Sequence, residues 1–182
     1  MSNRAESIKQ PKDGDTICLL IGDMNPPSVD YKHAAEKILS SKNFSSIWLC
    51  PLSGKDSIHT KNMCTIFGAE FSSETGKTLT VCSVALDRKL TEGELIAWAR
   101  NRYPYLKFRL AGFELLTEDS EPPLYIKFSS GKNPPSGTEV LTINNHLSVQ
   151  NEIQKKISKG SDESRNLFSG VWNYVQKHKL YR

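Results

Sequence analysis

Apolar positions along this chain come in short unbroken runs, separated by longer stretches in which they recur every three or four residues. Residues 16–21 (TICLLI) form the first run, closed by Gly22. A run of that length and composition predicts a strand buried on both faces. Gly22-Asp23-Met24-Asn25-Pro26-Pro27 follows as a turn, because proline fixes φ and disfavours a helical residue before it. From Asp30 onward Tyr31, Ala34, Ala35, Ile38 and Leu39 keep helical spacing, with Ser28 or Asp30 as the candidate cap.

The alternation continues. Residues 46–50 (SIWLC) predict a second strand, 56–70 a helix carrying Ile58, Met63, Ile66 and Phe67, and 78–84 a third strand. Thr91 and Glu94 form a capping box that opens a helix ending near Arg102, before Pro104. Strands at 107–111, 123–129 and 139–143 follow, with a Gly/Pro-rich loop at 131–137. Helical segments at 148–158 and 162–179 close the chain.

Strands alternating with helices imply a parallel sheet covered on both faces. Right-handed crossovers make it a doubly wound α/β domain. Ligands of such sheets bind beyond the carboxyl ends of the strands, at the switch point, which puts the 22–31 turn at the expected site. The organisation expected is a disordered lead-in over 1–15 and a single α/β domain over 16–182.

Composition changes this picture little. The chain has 182 residues, 37% hydrophobic and 24% charged, with a formal charge of +4. That is the profile of one globular domain, and it permits an anionic partner without requiring one. No apolar stretch is long enough for a membrane span, and the start of the chain lacks the apolar centre of a signal peptide. An intracellular protein, cytoplasmic or nuclear, is expected. Cys18, Cys50, Cys64 and Cys82 form no C-x-x-C pair and sit in or beside apolar runs, so they read as buried free thiols rather than metal ligands. No basic–aromatic motif supports nucleic-acid binding.

The stretch 21–31, Ile-Gly-Asp-Met-Asn-Pro-Pro-Ser-Val-Asp-Tyr, resembles the opening of the nicotinamide and nicotinate mononucleotide adenylyltransferases, in which the first strand runs into G-[TS]-F-D-P-x-H-x-G-H. Further markers keep the family's order. His59-Thr60-Lys61-Asn62-Met63 resembles the start of its second helix, Arg102-Tyr103-Pro104 its R-Y-P, and Ala111-Gly112-Phe113-Glu114-Leu115-Leu116 its G-x-D-x-L. Val171-Trp172-Asn173-Tyr174-Val175, with Leu180-Tyr181, resembles its V-x-x-Y-I-x-x-x-x-L-Y ending. The resemblance implies a Rossmann-like nucleotidylyltransferase fold from about Thr16 to Tyr181. It also implies nucleotide-binding positions at Gly22, Asp23, Met24, Asn25, Lys55, Gly112 and Glu114.

The family's chemistry is positioning and charge stabilisation on a triphosphate, with ATP and Mg²⁺ as cofactors of an active member. Here Ser28 replaces the first family histidine, Tyr31 the second, and Asp30 the glycine between them. In the late I-S-S-T-x-I-R motif, aligned on 148–154, Gln154 replaces the arginine. Each lost donor of this kind removes about 3–4 kcal/mol of transition-state stabilisation, although such losses do not simply add. The expectation is a pseudoenzyme acting as an interaction or scaffold subunit with protein partners and at most residual nucleotide binding. The alternative is a divergent active adenylyltransferase that recruits Lys55, His59 or Lys155.

Other features have plainer readings. Asp23 and Asn25 fit Asx-turn chemistry, and His33 falls on an exposed helix face. Gly76-Lys77-Thr78 echoes a P-loop but lacks its first glycine, since position 71 is Phe71, and it precedes a strand. Trp48, Trp98 and Trp172 are expected in the core or at its edge. Pro122-Pro123 and Pro134-Pro135 read as loop stiffeners, and the basic run 154–159 as a solvated helix face.

Overall fold

A computed structural model describes residues 10–41, 43–52, 56–114, 122–129, 131–143 and 150–182, apart from the side chains of 150 and 151. The element order is β1 (Thr16–Gly22), α1 (Val29–Ser40), β2 (Ser46–Pro51), α2 (Ser57–Thr75), β3 (Leu79–Val81), α3 (Val84–Arg88), α4 (Glu92–Arg102), β4 (Lys107–Gly112), β5 (Leu124–Phe128), β6 (Glu139–Ile143), α5 (Gln150–Ser158) and α6 (Ser169–Lys177). The strands form one six-stranded sheet in the order β3-β2-β1-β4-β5-β6. Every pairing is parallel. This is the doubly wound α/β architecture expected from the alternation, with its switch point between β1 and β4.

The unbroken apolar run of β1 has a direct cause. Cys18 and Leu20 face one core, packed against α1, α2, α5 and α6 through Ala35, Ile38, Phe67, Ile153 and Val171. Ile17, Leu19 and Ile21 face the other, packed against α3 and α4 through Ala85, Leu95, Ile96 and Ala99. Neither set meets water, so both parities must be apolar. Register aligns the carboxyl ends: Gly22 pairs with Pro51, and Leu20 with Ala111.

Several boundaries differ from expectation. The stretch 78–84 is only a three-residue strand, and Val84–Arg88 is helical. The first of the closing helices begins at Gln150. The last is confined to Ser169–Lys177, because Asp162 turns the chain by accepting the Ser164 amide at 2.9 Å, and Leu167 and Phe168 dip into the core. Ser28 occupies the N-cap position of α1 but makes no side-chain cap bond, and Asp30 lies inside the first turn. Ile58 is 74% exposed despite its helical spacing. Gly76 ends α2 in the left-handed conformation at φ 67, with its amide donating to Ser72 O, which accounts for that glycine without a P-loop. The capping box of Thr91 and Glu94 is present as read. Trp48 lies in the second core, with Trp98 at its edge, and Trp172 packs at the edge of the first.

Candidate functional site

The turn after β1 sits at the switch point, where β1 and β4 part. Its backbone leaves Gly22, whose carbonyl accepts from Leu52 N at 3.0 Å, and enters α1 after a cis Asn25–Pro26 peptide. The first turn of α1 brings Tyr31 back over the end of β1. A Cβ built on Gly22 would lie 2.1 Å from the Tyr31 hydroxyl and 3.0 Å from Cζ. A contact that short forces the ring or the backbone to shift, so glycine is favoured here because the Tyr31 ring already lies against its Cα. The hydroxyl donates to Asp23 O at 3.4 Å. The ring packs edge-on against Phe113 at 5.1 Å, which in turn stacks on Phe128 at 5.5 Å. Tyr31 is only 4% exposed.

The rest of the turn is held by the C-terminal third of the chain. Gln154, on α5, donates its amide to the carbonyl of Asn25. Tyr181 donates its hydroxyl to Asn25 Oδ1 and lies 4.0 Å from Met63 Sδ. Val29 N donates to Asn166 O at 2.9 Å. Asn25, Ser28 and Asp30 are all buried. A buried polar side chain needs partners, and Asn25 finds them in its own chain.

Among the described residues, the charged groups acting on this turn are acidic. Burial raises the Tyr31 hydroxyl well above its ordinary value, and Asp23, Cys64, Glu114 and Asp30 push in the same direction. The Tyr181 hydroxyl is raised by burial and then by Asp23 and Asp56. Asp23 keeps solvent access on its outer side, yet crowding by the chain raises its carboxyl. The Asn25 amide opposes that shift by donating to Asp23, which is the Asx turn read from the sequence, and Glu114 reinforces it.

No family model matches the sequence, and no curated protein matches it. The fold does match solved structures. Nicotinic acid mononucleotide adenylyltransferase from Plasmodium falciparum, complexed with APC, superposes with a TM-score of 0.70 at 16% identity, covering 92% of this chain and 97% of that one. The same enzyme complexed with NaAD gives the same figures. A putative nicotinate-nucleotide adenylyltransferase from Vibrio parahaemolyticus matches with a TM-score of 0.57 at 16% identity, covering 92% and 96%. The chain has a nucleotidylyltransferase fold.

Within that nucleotidylyltransferase fold the candidate positions separate into groups. Gly22, Asp23, Asn25, Ser28, Asp30 and Tyr31 come together in the turn as expected. Gly112 ends β4, paired with Tyr125, and exposed Glu114 follows it. Met24 instead points into the core, where the Cys64 thiol lies 4.0 Å from its sulfur. Gln154 reaches the turn but binds its backbone. His59 is engaged elsewhere: Nδ1 lies 2.9 Å from Tyr174 Oη, and its ring packs on Tyr174 and His178. His33 is half-exposed beside Glu36 on α1. Lys155 is exposed on α5. Gly54 and Lys55 lie outside the described residues, as do Leu115, Leu116, Ser148 and Val149. Among the described residues no helix is long and apolar enough to cross a membrane.

Sequence reasoning did not assign Tyr181, Asn166 or Phe113 to the site. The Leu180-Tyr181 ending was the one available signal for Tyr181. Nothing local marks Asn166, because its contribution is a main-chain carbonyl.

Proposed function

We propose that this chain is a non-catalytic member of the nucleotidylyltransferase fold, acting as an interaction or scaffold subunit for a protein partner, with at most residual nucleotide binding. The observation that carries this reading is the Tyr31 hydroxyl lying against Gly22. A triphosphate at this turn needs open backbone at the glycine and positive counter-charge around it. Among the described residues the side chains here are a buried phenol and the carboxylates of Asp23, Asp30 and Glu114, and the amide at 154 is directed to Asn25. These residues do not fit ATP–Mg²⁺. Four free cysteines, three of them buried, fit a reducing intracellular compartment, cytoplasmic or nuclear.

The test is direct. Full-length protein is incubated with ATP, Mg²⁺ and nicotinate or nicotinamide mononucleotide, and dinucleotide and pyrophosphate are measured. No product above the no-protein control, and no ATP-dependent shift in Tm, is the expected result. Dinucleotide formed at an ordinary enzymatic rate would overturn the reading.

A second reading has its own support. The likeness to the Plasmodium falciparum enzyme spans 97% of that chain, complexed with APC and with NaAD, and it speaks for a divergent active adenylyltransferase more directly than for a scaffold. Charge would then come from Lys55 or Lys155. On this reading product forms, and Lys55→Ala abolishes it while leaving Tm unchanged.

A further inference from the structure

The carboxyl ends of β2 and β3 bring two cysteines together. The register runs Ile47↔Leu79, Trp48↔Thr80 and Leu49↔Val81, so the next rung sets Cys50 beside Cys82. The Cys82 amide donates to Leu49 O at 2.9 Å and keeps the chains together there. Both side chains lie on the α3–α4 face of the sheet, whereas Leu49 and Val81 lie on the other. Neighbouring strands run about 4.8 Å apart, within the roughly 4.4–6.8 Å that a disulfide spans between Cα atoms. The Cys50 thiol therefore lies beside the Cys82 sulfur. The Cys50 thiol donates its proton to the Trp48 carbonyl, 3.4 Å away.

The two sulfurs differ in kind. Cys50 is fully buried, and Cys82 is partly exposed. The neighbouring Cys50 thiol and the Val84 amide lower the Cys82 thiol to about 7, against burial and the Asp87 carboxylate on α3. Cys50 is raised by burial, by Cys82, and by Cys18 and Cys64 across the sheet. A lowered thiol carries more thiolate near neutral pH than an ordinary cysteine and is the readier nucleophile.

We propose that Cys82 and Cys50 form a hydroperoxide-reactive dithiol, with Cys82 the attacking sulfur and Cys50 the resolving one. The Cys82 thiolate attacks a peroxide oxygen. An S–O bond forms, the O–O bond breaks, and hydroxide or alkoxide leaves. The sulfur is oxidised by two electrons to sulfenic acid, and the peroxide is reduced. Cys50 sulfur then attacks Cys82 sulfur: the S–S bond forms, the S–O bond breaks, and the Cys50 proton leaves with the hydroxyl as water. A cellular dithiol returns the pair to its reduced state by exchange.

Fully reduced protein is treated with equimolar hydrogen peroxide at pH 7, quenched with N-ethylmaleimide in denaturant, and mapped by peptide mass spectrometry. A peptide linking Cys50 and Cys82 is expected, with Cys18 and Cys64 recovered as maleimide adducts. Cys82→Ser abolishes the link, and Cys50→Ala leaves a Cys82 sulfenic acid that dimedone captures. In the native chain, iodoacetamide alkylation of Cys82 reaches half its maximal rate near pH 7. That measurement needs no variant and stands if Cys50→Ala fails to fold. A linked peptide involving any other pair overturns the proposal. So does a peroxide reaction at Cys82 no faster than that of free cysteine, or an alkylation midpoint at the ordinary thiol value of about 8.5.

Discussion

Gln154 donates its side-chain amide to the main-chain carbonyl of Asn25, tying α5 to the turn that leaves β1. A single net hydrogen bond contributes about 1 kcal/mol. Gln154→Ala should therefore lower unfolding free energy by about that amount in urea titration. Gln154→Glu should cost more at pH 7 than at pH 4, because an ionised carboxylate cannot donate to a carbonyl.

Gly22→Ala should destabilise the chain by about 1–3 kcal/mol, the usual cost of forcing atoms into a filled site. Its Cβ meets the Tyr31 hydroxyl at 2.1 Å. Tyr31→Ala in the same chain should recover the clash component. A double-mutant cycle by chemical denaturation reads the coupling directly, and strictly additive costs would refute the contact.

Tyr181→Phe removes the donor to Asn25 Oδ1 and leaves a buried amide oxygen short of a partner. The expected cost is about 1–3 kcal/mol. Amide exchange should quicken in the turn and leave α4, on the opposite face of the sheet, unchanged.

Asp23→Asn tests the electrostatics. The Asp23 carboxyl is raised in the fold, chiefly by crowding. The folded chain therefore holds this proton more tightly than the unfolded one, and stability falls as pH rises through the raised value. An asparagine side chain at this position keeps the acceptor of the Asx turn without the charge. The variant should be more stable than the native chain at pH 7, and the difference should vanish below the ordinary aspartate range. A native chain that is the more stable of the two at pH 7 would contradict this.

Refitting the turn with Ser28→His, Asp30→Gly, Tyr31→His and Gln154→Arg should restore phosphate affinity. With ATP–Mg²⁺ at ten times its Kd, the gain is about 1.4 kcal/mol, or roughly 3–6 °C in Tm. The native chain should show no shift.

Much of the fold was legible because its causes are local. The apolar run of β1, the Thr91–Glu94 box and the prolines after Asn25 each act within a few residues, and each element formed near where it was read. The helix Val84–Arg88 was not legible, because its short apolar stretch continues that of β3 and carries no period of its own. At the site, the substitutions at 28, 30, 31 and 154 could be read from the chain. Their new partners could not. The hydroxyl of Tyr181 reaches Asn25 across 156 positions of sequence, and Phe113 meets Tyr31 only because β4 lies beside β1. Such contacts belong to topology rather than to spacing.

The contact between Gly22 and Tyr31 also fixes an order of change. A glycine at the end of β1 reads in an alignment as a relic of phosphate binding, yet in this chain the ring above it suffices to hold it there. While position 31 carries tyrosine, a larger residue at position 22 costs stability. Once position 31 shrinks, position 22 is released. Two sites that look like independent losses or survivals are therefore coupled, and changing position 31 first is the less costly order.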